Sequence, residues 1–93
     1  MIKTVTTLHD KTDTLDTLFS AQTAVDKKIK ARLDQKGSGL FVDKHQIYGI
    51  VAEELKELMD ALHGNDIEGM KRELVDIAVA AIFGIASIEE SEA

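Results

Sequence analysis

Apolar residues recur every three or four positions along three long stretches of the chain, and this spacing places them on one face of an α-helix. The stretches run from a cap at 12 or 13 to about 35, from 43 to 63, and from 65 or 66 to about 88. Glycine-containing segments follow the first two stretches, where a helix is expected to stop. With no proline and few aromatic residues, the pattern predicts an all-α protein of three helices.

The first residues of the chain have a weaker preference for helix than the rest. Residues 1–11 are rich in threonine and β-branched side chains, which have a weak preference for helix. We predict an extended or mobile arm for this segment and a single all-α domain for residues 12–93. A chain of 93 residues buries only a modest part of its surface alone, so we also expect self-association.

The third stretch lacks the polar face of an ordinary surface helix. Between Leu74 and Ile88 the only charged residue is Asp76, and apolar side chains occur on every side of the helix. Three helices cannot enclose one of their number completely, so a second subunit is expected to cover part of it. The sequence therefore predicts a helical bundle that is completed by oligomerisation.

The charge balance narrows the range of partners. The chain has 17 acidic and 11 basic residues, a formal net charge of −6, which argues against a nucleic-acid polymer or an anionic membrane as the main partner. Its longest apolar run, 77–88, is too short for a membrane span of about 20 residues. The absence of cysteine excludes a disulfide framework, a zinc-thiolate site and a thiol nucleophile, and a cytoplasmic location is expected.

Two pairs of acidic residues stand out within the apolar stretches. Glu54 and Glu57 are three positions apart in the second predicted helix, and Glu73 and Asp76 are three apart in the third. At about 100° per residue each pair shares one helix face, so two adjacent helices would bring four carboxylates together. Like charges in such a cluster need protons or a cation to compensate them. Oxygen-only ligands favour a hard divalent ion, Mg²⁺ first and Mn²⁺ second.

These acids belong to a longer motif. Glu53-Glu54-x-x-Glu57 is followed, after fifteen intervening residues, by Glu73-x-x-Asp76. This arrangement resembles the EExxE and ExxD motifs of the MazG-like, all-α nucleoside triphosphate pyrophosphohydrolases, and the resemblance covers Phe41 to about Ala86. It implies a helical bundle assembled as a homodimer or homotetramer. It also implies that magnesium is held by Glu54, Glu57, Glu73 and Asp76.

The chemistry that the resemblance implies is hydrolysis of a nucleoside triphosphate between its α and β phosphates, in a nucleotide-pool cleaning role. Magnesium suits this reaction because it bridges carboxylates to phosphate oxygens and polarises phosphorus. Glu53 matches the first position of the motif and is expected to act outside the metal ligands or to orient water. Either Glu53 or Glu57 could take the proton from water as general base, and the sequence leaves both open.

Basic residues near the motif are candidates for contacts with the substrate phosphates. Many relatives use residues that follow the apolar helix, but here only a short acidic segment, 89–93, follows it. The candidates are instead Lys27, Lys28, Lys30, Arg32, Lys36 and Lys44. We select Lys30 from the first helix, and Lys44 with His45 because in relatives the segment before the metal-binding helix borders the substrate pocket. The sequence does not predict which base or sugar is preferred.

A non-enzymatic alternative is also compatible with the sequence. A small helical oligomerisation or adaptor module, with a structural or vestigial metal site, would show a similar pattern of acidic and apolar residues. The two hypotheses differ in turnover, because a module that binds magnesium would release no pyrophosphate from a nucleotide.

Overall fold

The computed structural model describes residues 11–37 and 39–92, and this part of the chain is all-α, as predicted. Its helices are α1 (Lys11–Lys36), α2 (Lys44–His63) and α3 (Ile67–Glu92). The arm predicted for residues 1–11 lies outside the described residues apart from Lys11, which begins α1. Within the described ranges, none of the helices combines the length and the apolar character that a membrane crossing needs.

The two ends of α2 are set by the local sequence. Asp43 precedes the helix in an extended conformation, and its Oδ1 accepts a hydrogen bond of 2.9 Å from the Gln46 N–H. At the other end, the Gly64 N–H donates to the carbonyl of Asp60, and Asn65 adopts a positive φ of 55°. Both ends confirm the predicted boundaries of this helix.

The first turn of α3 is capped in the same manner, and its last turn extends further than expected. Oδ1 of Asp66 accepts a hydrogen bond of 2.8 Å from the Gly69 N–H. The helix continues to Glu92, whereas the apolar pattern predicts an end near Ile88. Glutamate is a good helix former, and the Ser91 hydroxyl donates to the Ile88 carbonyl at 2.8 Å. Helix propensity therefore carries α3 beyond the apolar residues.

The central element of the fold is α3, which packs against both α1 and α2, most extensively against α2. Its buried face carries Val79, Ala80 and Phe83, each at most 5% exposed. Gly84 allows α2 to approach closely, since a Cβ at this position would lie 3.1 Å from Cγ2 of Ile47. Residues on one face of α3 are thus shared between two interfaces.

The segment between α1 and α2 is held in place by Arg32. The guanidinium carbon lies 4.3 Å from the ring centre of Phe83 and 5.2 Å from that of Phe41, and Nη2 donates to the Gly39 carbonyl at 3.0 Å. Gly39 has a φ of +63°, and a Cβ here would lie only 3.1 Å from Arg32 Nε. These contacts tie the end of α1 and the following segment to α3.

Ser87 of α3 connects the same segment to the core. Its buried Oγ accepts a hydrogen bond from the Phe41 N–H at 2.9 Å and donates one to the Phe83 carbonyl at 2.7 Å. We expect Ser87→Ala to lower the free energy of unfolding by about 1–2 kcal/mol, because the Phe41 N–H would lose its partner. Urea titration measures this change.

The matched control is Ser91→Ala, because the Ser91 hydroxyl makes a similar hydrogen bond at an exposed position of the same helix. This variant should change the free energy of unfolding by less than about 0.5 kcal/mol. Equal losses in the two variants would contradict the role given to Ser87.

Much of the apolar surface of the described chain is exposed. Large apolar side chains that are at least 38% exposed are Leu15, Leu18, Phe19, Leu33, Leu40, Val42, Tyr48, Leu55, Met59, Leu62, Leu74, Ile82, Ile85 and Ile88. On α3, these residues lie on the side away from the buried face of Val79 and Phe83. Apolar surfaces of this extent are typical of proteins that bind a partner.

Candidate metal centre

Three carboxylates of the predicted set meet between α2 and α3. One oxygen from each of Glu54, Glu57 and Glu73 lies within 4.8 Å of the other two. The spacing of three positions puts Glu54 and Glu57 on neighbouring parts of one face of α2, and the packing of α2 against α3 brings Glu73 to them. The three side chains are close enough to act on a single ion.

Asp76 lies one turn along α3 from Glu73, beside this group of three. It lines the same cleft as Glu54, and its negative charge acts on that residue. Its Oδ1 is 3.6 Å from the Nζ of Lys28 on α1, so an ammonium group partly compensates this carboxylate. Because the Lys28 side chain is 56% exposed, the ion pair contributes little to stability. Asp76 is therefore available for another cation at small cost.

The electrostatic environment of Glu54 disfavours its charged form. Burial, a hydrogen bond with Glu73 and the negative charges of Glu57, Asp76 and Glu73 together raise the pKa of Glu54 from 4.5 to about 7. At neutral pH this carboxyl would hold a proton about half of the time unless a cation offset the surrounding charge. The cluster is thus an unfavourable arrangement in the absence of a positive ion.

Two buried oxygens of the cluster have no hydrogen-bond partner when the carboxyls are charged. These are Oε2 of Glu54 and Oε2 of Glu73, and only a protonated Glu54, which can donate to Glu73, relieves this in the described part of the chain. A buried carboxylate oxygen without a donor is costly, and a bound cation removes this cost. The donor atoms are all oxygens, which suit Mg²⁺ or Mn²⁺ better than metals that prefer thiolate or imidazole. The residues present therefore fit the predicted metal.

Two clefts border the acidic cluster on the side of α1. The smaller, of about 230 Å³, is lined by Glu54 and Asp76, and the larger, of about 470 Å³, by Glu73 and Asp76. Basic side chains line both clefts: Lys28, Arg32 and Lys36 in the smaller, and Lys27, Lys28, Lys71 and Arg72 in the larger. A ligand in either cleft would contact groups of both charges.

The remaining predicted site residues lie outside the cluster. Glu53 is exposed and is not one of the three converging carboxylates, so its role as base or as an outer group stays a prediction. Lys30, Lys44 and His45 are also exposed, and none of them lines either of the two clefts beside the cluster. Their contact with a substrate likewise stays a prediction.

The basic residues that line the smaller cleft differ from those selected from the sequence as substrate contacts. Lys28, Arg32 and Lys36 are three of the six basic candidates, and their spacing of four positions is visible in the sequence. This spacing places them along one face of a helix. The orientation of that face towards the acids depends on how α1 packs on α3, which the spacing does not define.

The raised pKa of Glu54 predicts a pH dependence of stability when divalent ions are absent. A carboxyl whose pKa is higher in the folded state stabilises the fold when protonated, so this contribution is fully present below about pH 4.5 and is lost as the pH rises through about 7. We therefore expect the melting temperature of the metal-free protein to fall across this range.

Thermal melts in chelator and in Mg²⁺ measure this effect. Mg²⁺ should restore the melting temperature above pH 7, because the cation replaces the proton in offsetting the charge of the cluster. Glu54→Gln should flatten the profile recorded in chelator. A profile of unchanged slope in this variant would show that other groups cause the dependence.

No family model matches the chain, and no curated protein or solved structure matches it either. The resemblance to a family therefore rests only on the motif Glu53-Glu54-x-x-Glu57 and Glu73-x-x-Asp76.

Proposed function

We propose that this chain is a magnesium-dependent nucleoside triphosphate pyrophosphohydrolase, which cleaves a ribo- or deoxyribonucleoside triphosphate to the monophosphate and pyrophosphate. The observation that carries the proposal is the cluster of Glu54, Glu57 and Glu73, in which two buried oxygens have no hydrogen-bond partner when the carboxyls are charged. Solvated acidic side chains on a helix surface would not leave oxygens both buried and unpartnered. The order and spacing of the acids, which resemble the EExxE and ExxD motifs, support the same reaction.

The carboxylates have two roles in this proposal. Glu54, Glu57, Glu73 and Asp76 would hold Mg²⁺, which would supply Lewis-acid activation of the triphosphate. A water oxygen forms a bond to that phosphorus, the bond from phosphorus to the bridging oxygen breaks, and pyrophosphate leaves. The proton from water passes to Glu53 or Glu57, whose side chains are exposed and so accessible to water.

We also propose that the active form is a homodimer or homotetramer. On α3, Leu74, Ile85 and Ile88 are each more than half exposed, and so are Leu55 and Leu62 on α2. A second copy packed on these helices would bury that surface. Because the acidic cluster lies between α2 and α3, the same packing would hold the two helices in register at the site.

Pyrophosphate release from a panel of ribo- and deoxyribonucleoside triphosphates, with and without Mg²⁺, tests the proposed reaction. We expect pyrophosphate and monophosphate in equal amounts, formed only when a divalent ion is present. The ranking of the panel then identifies the preferred base and sugar. Release of orthophosphate together with a diphosphate would place the cleavage at a different bond and contradict the proposal.

The exposed apolar surface also favours a second candidate function. A helical oligomerisation or adaptor module in the cytoplasm, with no enzymatic activity, would expose apolar side chains such as Tyr48, Met59 and Ile85 for a partner. Both candidates suit a reducing compartment, because the chain has no cysteine. No release from any nucleotide, with no effect of Mg²⁺ on the melting temperature, would favour the module.

A further inference from the structure

The smaller cleft beside the acidic cluster has a basic wall formed by α1. Lys28, Arg32 and Lys36 line this wall, and their spacing distributes them over about 12 Å along one helix face. Like charges at this spacing disfavour a helix unless anions compensate them. The opposite wall carries Glu54 and Asp76, but of these only Asp76 is paired with a residue of α1. The acidic side chains that line the cleft therefore do not neutralise all of the positive charge on the basic wall.

Two of the three basic side chains have features that favour binding of an anion. The guanidinium of Arg32 is fixed by the rings of Phe83 and Phe41 and by the Gly39 carbonyl, while its buried Nε has no described partner. A planar guanidinium held in this way suits phosphate oxygens. Lys36, in the last turn of α1, forms no ion pair with any residue of the described ranges.

We propose that Lys28, Arg32 and Lys36 form the binding site for the β and γ phosphates of the substrate, which depart as pyrophosphate. This inference rests on the proposed function. The α phosphorus would lie at the acidic wall, and the rest of the triphosphate would follow the basic wall. When the bond from the α phosphorus to the bridging oxygen breaks, its electron pair stays with the pyrophosphate. Cations already in position along α1 stabilise this charge as it develops.

The larger cleft offers a second group of cations in a less suitable arrangement. Its cations are all exposed, whereas Arg32 of the smaller cleft is half-buried and is fixed by its contacts with Phe83 and Phe41. The smaller cleft has Val79 and Ala80 in its lining, both at most 4% exposed. Apolar groups there lower the local dielectric constant, so charges in this cleft interact more strongly with a bound phosphate.

Calorimetric titration with inorganic pyrophosphate tests this site without requiring turnover. We expect Lys36→Gln to weaken the binding of pyrophosphate roughly fivefold to tenfold, and wild-type affinity to fall as salt is raised. Lys56→Gln is the matched control, because it removes the same charge from an exposed position on α2 that lines neither cleft. This control should bind pyrophosphate as the wild type does.

Kinetics give a second measure of the same contact. Lys36→Gln should raise the KM for nucleoside triphosphates by a factor similar to the loss of pyrophosphate affinity, and Lys56→Gln should leave it unchanged. An equal KM in all three proteins would overturn the inference.

The results also separate this inference from the proposed function. Turnover by the wild type, together with unchanged pyrophosphate affinity in Lys36→Gln, would overturn the site on α1 and leave the proposed function in place. A larger loss in Lys71→Gln than in Lys36→Gln would assign pyrophosphate to the larger cleft and would also overturn the inference. The absence of turnover with every nucleotide would overturn the proposed function, and this inference with it.

Discussion

Glu57→Gln is expected to slow pyrophosphate release at least about 100-fold. Replacing even a residue that only hydrogen-bonds to a metal ligand commonly lowers metal affinity or activity about 10- to 100-fold. Glu57 contributes an oxygen to the group of three carboxylates, and glutamine keeps its shape while removing its charge. The variant should fold normally, since the Glu57 side chain is exposed. Its melting temperature in chelator should equal or exceed that of the wild type, because one like charge near Glu54 is gone.

The matched control for this variant is Asp60→Asn. Asp60 lies one turn further along α2, is exposed, and does not belong to the group of three carboxylates. It should retain wild-type turnover and a wild-type shift of the melting temperature with Mg²⁺. Steady-state kinetics on the two variants and the wild type give the comparison. Full activity of Glu57→Gln would remove this residue from both of its proposed roles.

Ile85→Glu is expected to prevent the proposed self-association and to leave a monomer. Ile85 is 57% exposed on the described chain and lies on the uncovered side of α3, so its change should hardly affect an isolated subunit. In an assembly the new carboxylate would be buried without a partner, which is strongly unfavourable. Light scattering coupled to size exclusion measures the mass of each species.

Ser91→Glu provides the control for the oligomer. It adds the same charge to α3, but 91 is six positions from 85 and so lies on a different side of the helix. This variant should keep the mass of the wild type. A wild-type protein that is monomeric at micromolar concentration would contradict the account of the exposed apolar surface.

Features of the fold that depend on neighbouring residues could be predicted from the sequence. The cap at Asp43 and the stop at Gly64 follow from local hydrogen bonding, and the structure has both. The extension of α3 to Glu92 was missed, because an apolar pattern ends where burial ends although helix propensity continues. The contact of Arg32 with the ring of Phe83 could not be foreseen, since the two residues are far apart in sequence.

In the candidate site, too, only the features that depend on residues close in sequence could be predicted. The spacing of Glu54 from Glu57 and of Glu73 from Asp76 predicts two pairs that each share a face, because helix geometry is regular. The distances between the pairs depend on the register of α2 against α3, and the spacing of residues in the sequence does not determine this register. The ion pair of Asp76 with Lys28 could not be predicted either, because it depends on how α3 packs against α1.

Anomalous diffraction of Mn²⁺ in crystals of the protein shows whether these acids bind a metal. We expect a manganese peak between α2 and α3, in direct contact with carboxylate oxygens of Glu54, Glu57 and Glu73 and with Asp76 as a further ligand or neighbour. The peak should disappear in crystals of Glu57→Gln. Crystals that hold manganese only elsewhere, or a peak of equal height in the variant, would contradict the assignment of these acids as a metal centre.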